Sequence, residues 1–229
     1  MPRTDALSRL LQEIRACRVC VESPVGTPLP HQPRPVLRAS RRARLAIFSQ
    51  APGVRVHASG VPFTDPSGDR LREWMGVDAD EFYDVERIAI VPMGFCFPGL
   101  DRHGGDLPPR RECAPLWRER VIAALPNVEL VLLVGSYAQR WHLPSTRQLT
   151  MTEVVRGWRD LPKDAGGKRF VPLPHPSWRN NAWIKRHPWF EAELLPEVRS
   201  EVRRLLDGAG TSGTVAARRI AAKKGPAPM

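Results

Sequence analysis

Four short apolar runs punctuate the chain: Leu45-Ala46-Ile47-Phe48, Ile88-Ala89-Ile90-Val91, Leu130-Val131-Leu132-Leu133-Val134 and Phe170-Val171-Pro172-Leu173. Unbroken apolar runs, rather than alternation, suit parallel strands buried on both faces. Helix-length segments lie between and after them, near 67–76, 109–125, 136–142 and 188–207. At the start, Leu7, Leu10, Leu11 and Ile14 make one apolar stripe, which predicts an amphipathic helix over 4–16. Strands alternating with helices predict an α/β fold, a three-layer sandwich whose short, mostly parallel four-stranded sheet is flanked by helices. Ligands of such sheets sit beyond the carboxyl ends of the strands. Motifs follow each run at that end: Ser49–Gly53, Pro92–Gly99, Gly135–Ala138 and His175–Asn181. Their convergence predicts one active site.

Composition adds three constraints. The 24 prolines in 229 residues are about twice the ordinary share of roughly 5%, so much of the chain is ordered loop. Residues 21–42, rich in proline and arginine, read as an extended, irregular connection. The net charge of +11 favours a polyanionic partner, because basic side chains and phosphates release counterions when they meet. Four of those charges (Arg218, Arg219, Lys223, Lys224) lie in 208–229, which holds no acid, so residues 1–207 keep +7. The chain therefore divides into a folded domain over 1–207 and a basic, disordered tail over 208–229. No apolar run reaches the roughly 18 residues of a membrane span. The N-terminus lacks an apolar signal core, and a cytoplasmic monomer without a membrane partner is expected.

Three motifs carry candidate chemistry. In Ser49-Gln50-Ala51-Pro52-Gly53, small residues after a strand let backbone approach a ligand, although many such turns are only structural. In Gly60-Val61-Pro62-Phe63-Thr64-Asp65-Pro66-Ser67-Gly68, Phe63 offers a face to a planar base or else fills the core. His175-Pro176-Ser177-Trp178-Arg179-Asn180-Asn181 gathers more polar groups than a buried core tolerates unpaired, and so reads as functional. The cysteines are Cys17, Cys20, Cys96 and Cys113. A Cys-x-x-Cys pair with two distant cysteines suits a 4Fe–4S cluster or structural zinc, with four unrelated buried thiols and no metal as the other option.

Together these motifs resemble those of the iron–sulfur branch, often called family four, of the uracil-DNA glycosylase superfamily. Where that branch carries Gly-Glu-Ala-Pro-Gly, this chain has Ser49–Gly53. Seven residues beyond Gly53, the pattern Gly-x-Pro-Phe-x-x-x-x-Gly is matched without a gap by Gly60, Pro62, Phe63 and Gly68. The four cysteines match the branch's cysteines in order. Val134-Gly135-Ser136-Tyr137-Ala138 resembles its Leu-Gly-x-x-Ala turn, and His175-Pro176 its closing His-Pro. The resemblance covers about residues 7–205.

The resemblance implies a DNA-repair glycosylase that flips uracil, or another deaminated base, out of DNA and hydrolyses its N-glycosidic bond. His175 would donate a hydrogen bond to the base as it departs with negative charge. Backbone at Gln50 and Ala51 would hold the base and the attacking water. Phe63 would stack on the base, with Met93 and Gly94 beside it. Ser177, Arg179 and Asn180 would meet DNA. Cys17, Cys20, Cys96 and Cys113 would bind a structural 4Fe–4S cluster.

Several positions depart from the branch. Gln50 stands where it has an acid, and His57 stands at another of its acidic positions. Pro92 or Met93 falls where relatives read uracil with Asn. Asp65, two residues past Phe63, replaces a glycine and is expected, rather than Gln50, to supply the missing carboxylate near the attacking water. Hydrolysis tolerates the loss of one acid if the site stabilises both the sugar cation and the base anion. Two other classes compete: a damage-binding protein of the same fold that does not turn over or retains its product, and a metal-cluster regulatory protein. The last leaves Phe63 and the His175 segment unexplained.

Overall fold

The computed structural model describes residues 5–164 and 166–208. Strands β1 (Leu45–Phe48), β2 (Ile88–Ile90), β3 (Leu130–Val134) and β4 (Arg169–Leu173) form one sheet in the order β2-β1-β3-β4. Every pairing is parallel: Ile47 lies opposite Ile90 on one side and Leu132 on the other, and Leu133 opposite Pro172. Neighbouring residues on a strand face opposite layers. Leu45 and Ile47 join one core cluster with Leu71, Trp74, Phe82, Phe190 and Val202, while Ala46 and Phe48 join another with Leu10, Ile14, Trp117 and Val121. Both faces of the sheet are therefore covered, which is why its runs are apolar throughout.

One layer holds α1 (Ala6–Arg15), α6 (Cys113–Ala123) and α7 (Ser136–His142). Asp5 caps α1 by accepting the Ser8 N–H at 2.8 Å, and the predicted stripe buries Leu7, Leu10 and Ile14. The other layer holds α4 (Pro66–Met75), α5 (Ala79–Tyr83), α8 (Met151–Arg156), α9 (Asn181–Arg186) and α10 (Leu195–Asp207). The short helices α2 (Val19–Glu22) and α3 (Val54–Ser59) lie in connections.

The expected elements are present with shifted limits. The helix expected over 109–125 starts only at Cys113, past Pro108 and Pro109. The one expected over 188–207 is broken: a π-helical turn, Phe190–Leu194, precedes α10. Pro196 has no N–H to donate back along the helix and its ring crowds the carbonyl four residues earlier, so the ladder changes register there. Helices α2, α3, α5, α8 and α9 add to the sequence-based expectation. Apart from Gly208, the expected tail lies outside the described residues.

Candidate active site

A pocket opens beyond the carboxyl end of the sheet. Its wall comes from Ser49, Ala51, Pro52 and Gly53 after β1, Pro92 after β2, His175 after β4, Pro62, Phe63 and Asp65 from the stretch joining α3 to α4, and Ser67 in the first turn of α4. Three of the four strand-end motifs thus meet. The Gly135–Ala138 turn does not line the pocket. Gly135, at φ +86°, packs under the Gln50 amide, and a Cβ there would stand 2.6 Å from it.

Phe63 is held by its backbone. It is the only described non-glycine residue with positive φ, at 57°, a conformation that costs about 1–3 kcal/mol and persists only when its surroundings impose it. Gly60 ends α3 at φ +74°. Gly68 leaves no room for a side chain: a Cβ would stand 1.9 Å from the Phe63 carbonyl oxygen. The Tyr83 hydroxyl, from the end of α5, lies 3.0 Å from the carbonyl oxygens of both Pro62 and Phe63 and donates to this pair. The Phe63 ring meets Phe82 edge-on at 6.0 Å. The spacing of Gly60, Phe63 and Gly68 therefore encodes a tight left-handed bend that seats one ring in the pocket wall.

Asp65 begins α4, where its carboxylate accepts the Gly68 N–H at 3.2 Å. His175 follows β4, and its Nδ1 accepts the Ser177 N–H at 3.3 Å, which leaves the proton of the neutral ring on Nε2. Burial pushes its pKa below the ordinary imidazole value. The nearby Asp65 carboxylate opposes that shift, and Arg179 adds to it. The ring is thus a neutral N–H donor at the pocket wall.

The loop after His175 is tied from within. Asn180 Nδ2 donates to the His175 carbonyl at 2.6 Å. Arg70 of α4 donates to the Ser177 carbonyl at 3.3 Å and to Asn181 Oδ1 at 2.7 Å. These bonds hold the 3-10 turn Trp178–Asn180 so that Trp178 is 74% exposed, the highest value among the exposed large apolar residues. The Arg179 guanidinium lies 5.8 Å from its ring centroid.

The sequence-derived set is only partly brought together. His175, Asp65, Phe63 and Ala51 share the pocket, while Ser177, Arg179 and Asn180 lie outside its wall, in the turn that follows His175. Gln50 is not in the wall: its side chain lies against Gly135, and its carbonyl accepts the Gly94 N–H at 2.9 Å. Met93 and Gly94 are not in the wall either. The Met93 sulfur accepts from the buried Arg118, Gly94 faces Pro109 and Arg110, and Pro92 takes their place. His57 turns its ring to His31, 4.4 Å away, and to Phe97. Tyr83, Arg70 and Trp178 were missing from that set. Trp178 sat inside the polar motif and could have been chosen. Nothing local marks Tyr83 or Arg70.

All four cysteines are free thiols and line one cavity, with Ile14, Phe95, Leu116 and Trp117 among its apolar walls. Burial pushes the Cys20 thiol up to about 11 and those of Cys96 and Cys113 to about 12. The Phe95 N–H donates to the Cys113 sulfur at 3.4 Å. Among the described residues, no three His, Cys, Asp or Glu side chains gather closely enough to hold a single metal ion. A lone zinc ion, with bonds near 2.3 Å, needs its sulfurs roughly 4 Å apart. No described helix is long and apolar enough to cross a membrane.

Among known families, the one described as the Uracil DNA glycosylase superfamily matches residues 38–199. That span contains Gln50, Phe63, Asp65 and His175, and Cys17 and Cys20 precede it.

Proposed function

Because the chain belongs to the uracil DNA glycosylase superfamily, we propose that it hydrolyses the N-glycosidic bond of uracil, or of another deaminated base, flipped out of DNA. The observation that carries the reading is the pairing in one pocket of a neutral N–H donor, His175, with a ring held under backbone strain, Phe63. Bond breaking leaves positive charge on the sugar and negative charge on the base. A fixed N–H aimed at the base carbonyl favours that anion without reorganising during the reaction. Phe63 stacks on the base, Ala51 supplies backbone contacts, and the Asp65 carboxylate faces the sugar cation. Trp178, beside Ser177 and Arg179, enters the duplex at the vacated position. The protein acts as a monomer.

The same reading gives Cys17, Cys20, Cys96 and Cys113 to a 4Fe–4S cluster. Support comes from their common cavity and from a set that uses every cysteine of the chain. When bound, such a cluster cross-links the α1–α2 region, the loop after β2 and the start of α6. Protein purified without oxygen should carry about four irons per chain. Iron-free protein that melts no lower than the anaerobic preparation would remove the cluster from the reading.

One observation favours a second reading, a damage-binding protein without turnover: Gln50, at the branch's acidic position, is turned out of the pocket. Single-turnover incubation with uracil-containing DNA separates the two. Released uracil and an abasic site support hydrolysis, whereas tight binding with intact DNA supports the second reading.

A further inference from the structure

The loop from 99 to 107, between β2 and α6, places an uncommitted acid beside Gly53, a residue of the pocket wall. Leu100 and Asp106 form an antiparallel bridge. The Leu107 N–H donates to the Gly99 carbonyl and the Asp101 N–H to the Gly105 carbonyl. Asp101 Oδ1 accepts the N–H groups of His103 and Gly105 at 2.8 and 2.9 Å. Asp101 is thereby committed to shaping the loop. Asp106 is not, since no described residue donates a hydrogen bond to its carboxylate.

Its position is set by the first motif. A Cβ on Gly53 would stand 3.1 Å from Asp106 Oδ2, so the carboxylate lies over the backbone of a residue that lines the pocket. Two charged groups from other elements face it, Arg179 of the His175 loop and Asp65 at the start of α4. Asp101 of its own loop also faces Arg179. Asp106 is an exposed residue, yet partial desolvation raises its carboxyl above the ordinary value. Arg179 works against that rise, and Asp65 adds to it.

We propose that Asp106 is a catalytic carboxylate of this site and takes the proton of the attacking water, an inference that rests on the hydrolase reading. In that step the water oxygen bonds to C1′ of the sugar. The C1′–N bond breaks, and its electron pair leaves on the base, where the His175 Nε2–H meets it. One water proton passes to Asp106. Asp65, tied to Gly68, stabilises the positive sugar. Two carboxylates in unlike surroundings thus divide two tasks. The arrangement also bears on Gly53: a Cβ there would press on the Asp106 carboxylate at 3.1 Å.

A base acts only while ionised, so a raised carboxyl value moves the acid limb of the rate profile to higher pH. The test is single-turnover release of uracil from an oligonucleotide by wild type and by Asp106→Asn, from acid to neutral pH. Binding to an abasic-site analogue and thermal melting are measured beside it. Asp106→Asn should lose about 10²–10⁴-fold in rate and the acid limb, with binding and melting unchanged. Wild-type rates from Asp106→Asn would overturn the inference and leave the hydrolase reading intact. A rate loss that tracks a lower melting temperature, with the acid limb retained, would assign Asp106 to the fold of its loop and also overturn it. A wild-type protein that releases no deaminated base overturns the hydrolase reading and this inference with it.

Discussion

His175 is a donor because its other nitrogen is already engaged. The Ser177 N–H occupies Nδ1, and β4 together with Pro176 anchors the backbone. Losing one such preorganised donor costs on the order of 3 kcal/mol, or about 10²–10³ in rate. His175→Ala should therefore lose most base release while melting near wild type and still binding DNA. Near-normal single-turnover cleavage by this variant would remove His175 from the chemistry. A different buried histidine bears on stability. Burial, with Arg118 adding to it, pushes His142 down to about 3 from the ordinary 6.5. Its ring is wedged against Phe48 and Phe170 with Nε2 unpartnered. The folded state keeps it neutral, whereas the unfolded chain binds a proton below 6.5. Its contribution is thus complete above 6.5 and is lost as pH falls toward 3. Melting temperature should drop through that window in wild type and drop less in His142→Leu. Equal slopes would assign the acid sensitivity elsewhere.

At the scale of elements, the bend between α3 and α4 joins local stability to the site. Helix α4 has Asp65 as cap, Pro66 in its first turn and Gly68 against the Phe63 carbonyl. A methyl group cannot fit at 1.9 Å, so in Gly68→Ala either the start of α4 or Phe63 must move. Overpacking of this kind costs about 1–3 kcal/mol. Gly68→Ala should melt several degrees lower, and its surviving folded fraction should release base poorly because the ring is displaced. A variant that melts lower yet keeps full activity per folded molecule would show that Phe63 tolerates the shift. Two helices absent from the sequence-based expectation carried readable signals. Asp78 with Glu81 and Thr150 with Glu153 form capping boxes that open α5 and α8. Both helices are too short, at 5 and 6 residues, to show an apolar period.

For the whole molecule, charge makes the leading prediction. The +11 excess should make DNA binding salt-sensitive, each neutralised phosphate adding about −0.9 to the slope of log K against log salt. Residues 1–207 retain most of that excess. Deleting 208–229 should reduce the slope and the affinity but leave cleavage once DNA is bound. A truncated protein that binds normally and cannot cleave would instead place the tail in the catalytic machinery. The expected fold is met in its layers and strand positions, and the sheet is parallel throughout.

The strands were written in the chain itself, because burial on both faces demands unbroken apolar runs. So was the bend around Phe63, because a left-handed turn and a close backbone contact each demand glycine at a fixed spacing. His175 and Asp65 were legible for a related reason: each adjoins a structural boundary, a strand end or a helix start, that local residues mark. Where Gln50 points was set by long-range packing, since it depends on Gly135, which lies far along the chain and offers a niche without a side chain. Met93 was likewise drawn from the pocket by Arg118, a residue 25 positions away. Tyr83 reaches Phe63 across 20 residues, and Asp106 reaches Gly53 from a separate loop. Such contacts arise when the sheet brings loop ends together, and no local period or composition encodes which side chains then meet.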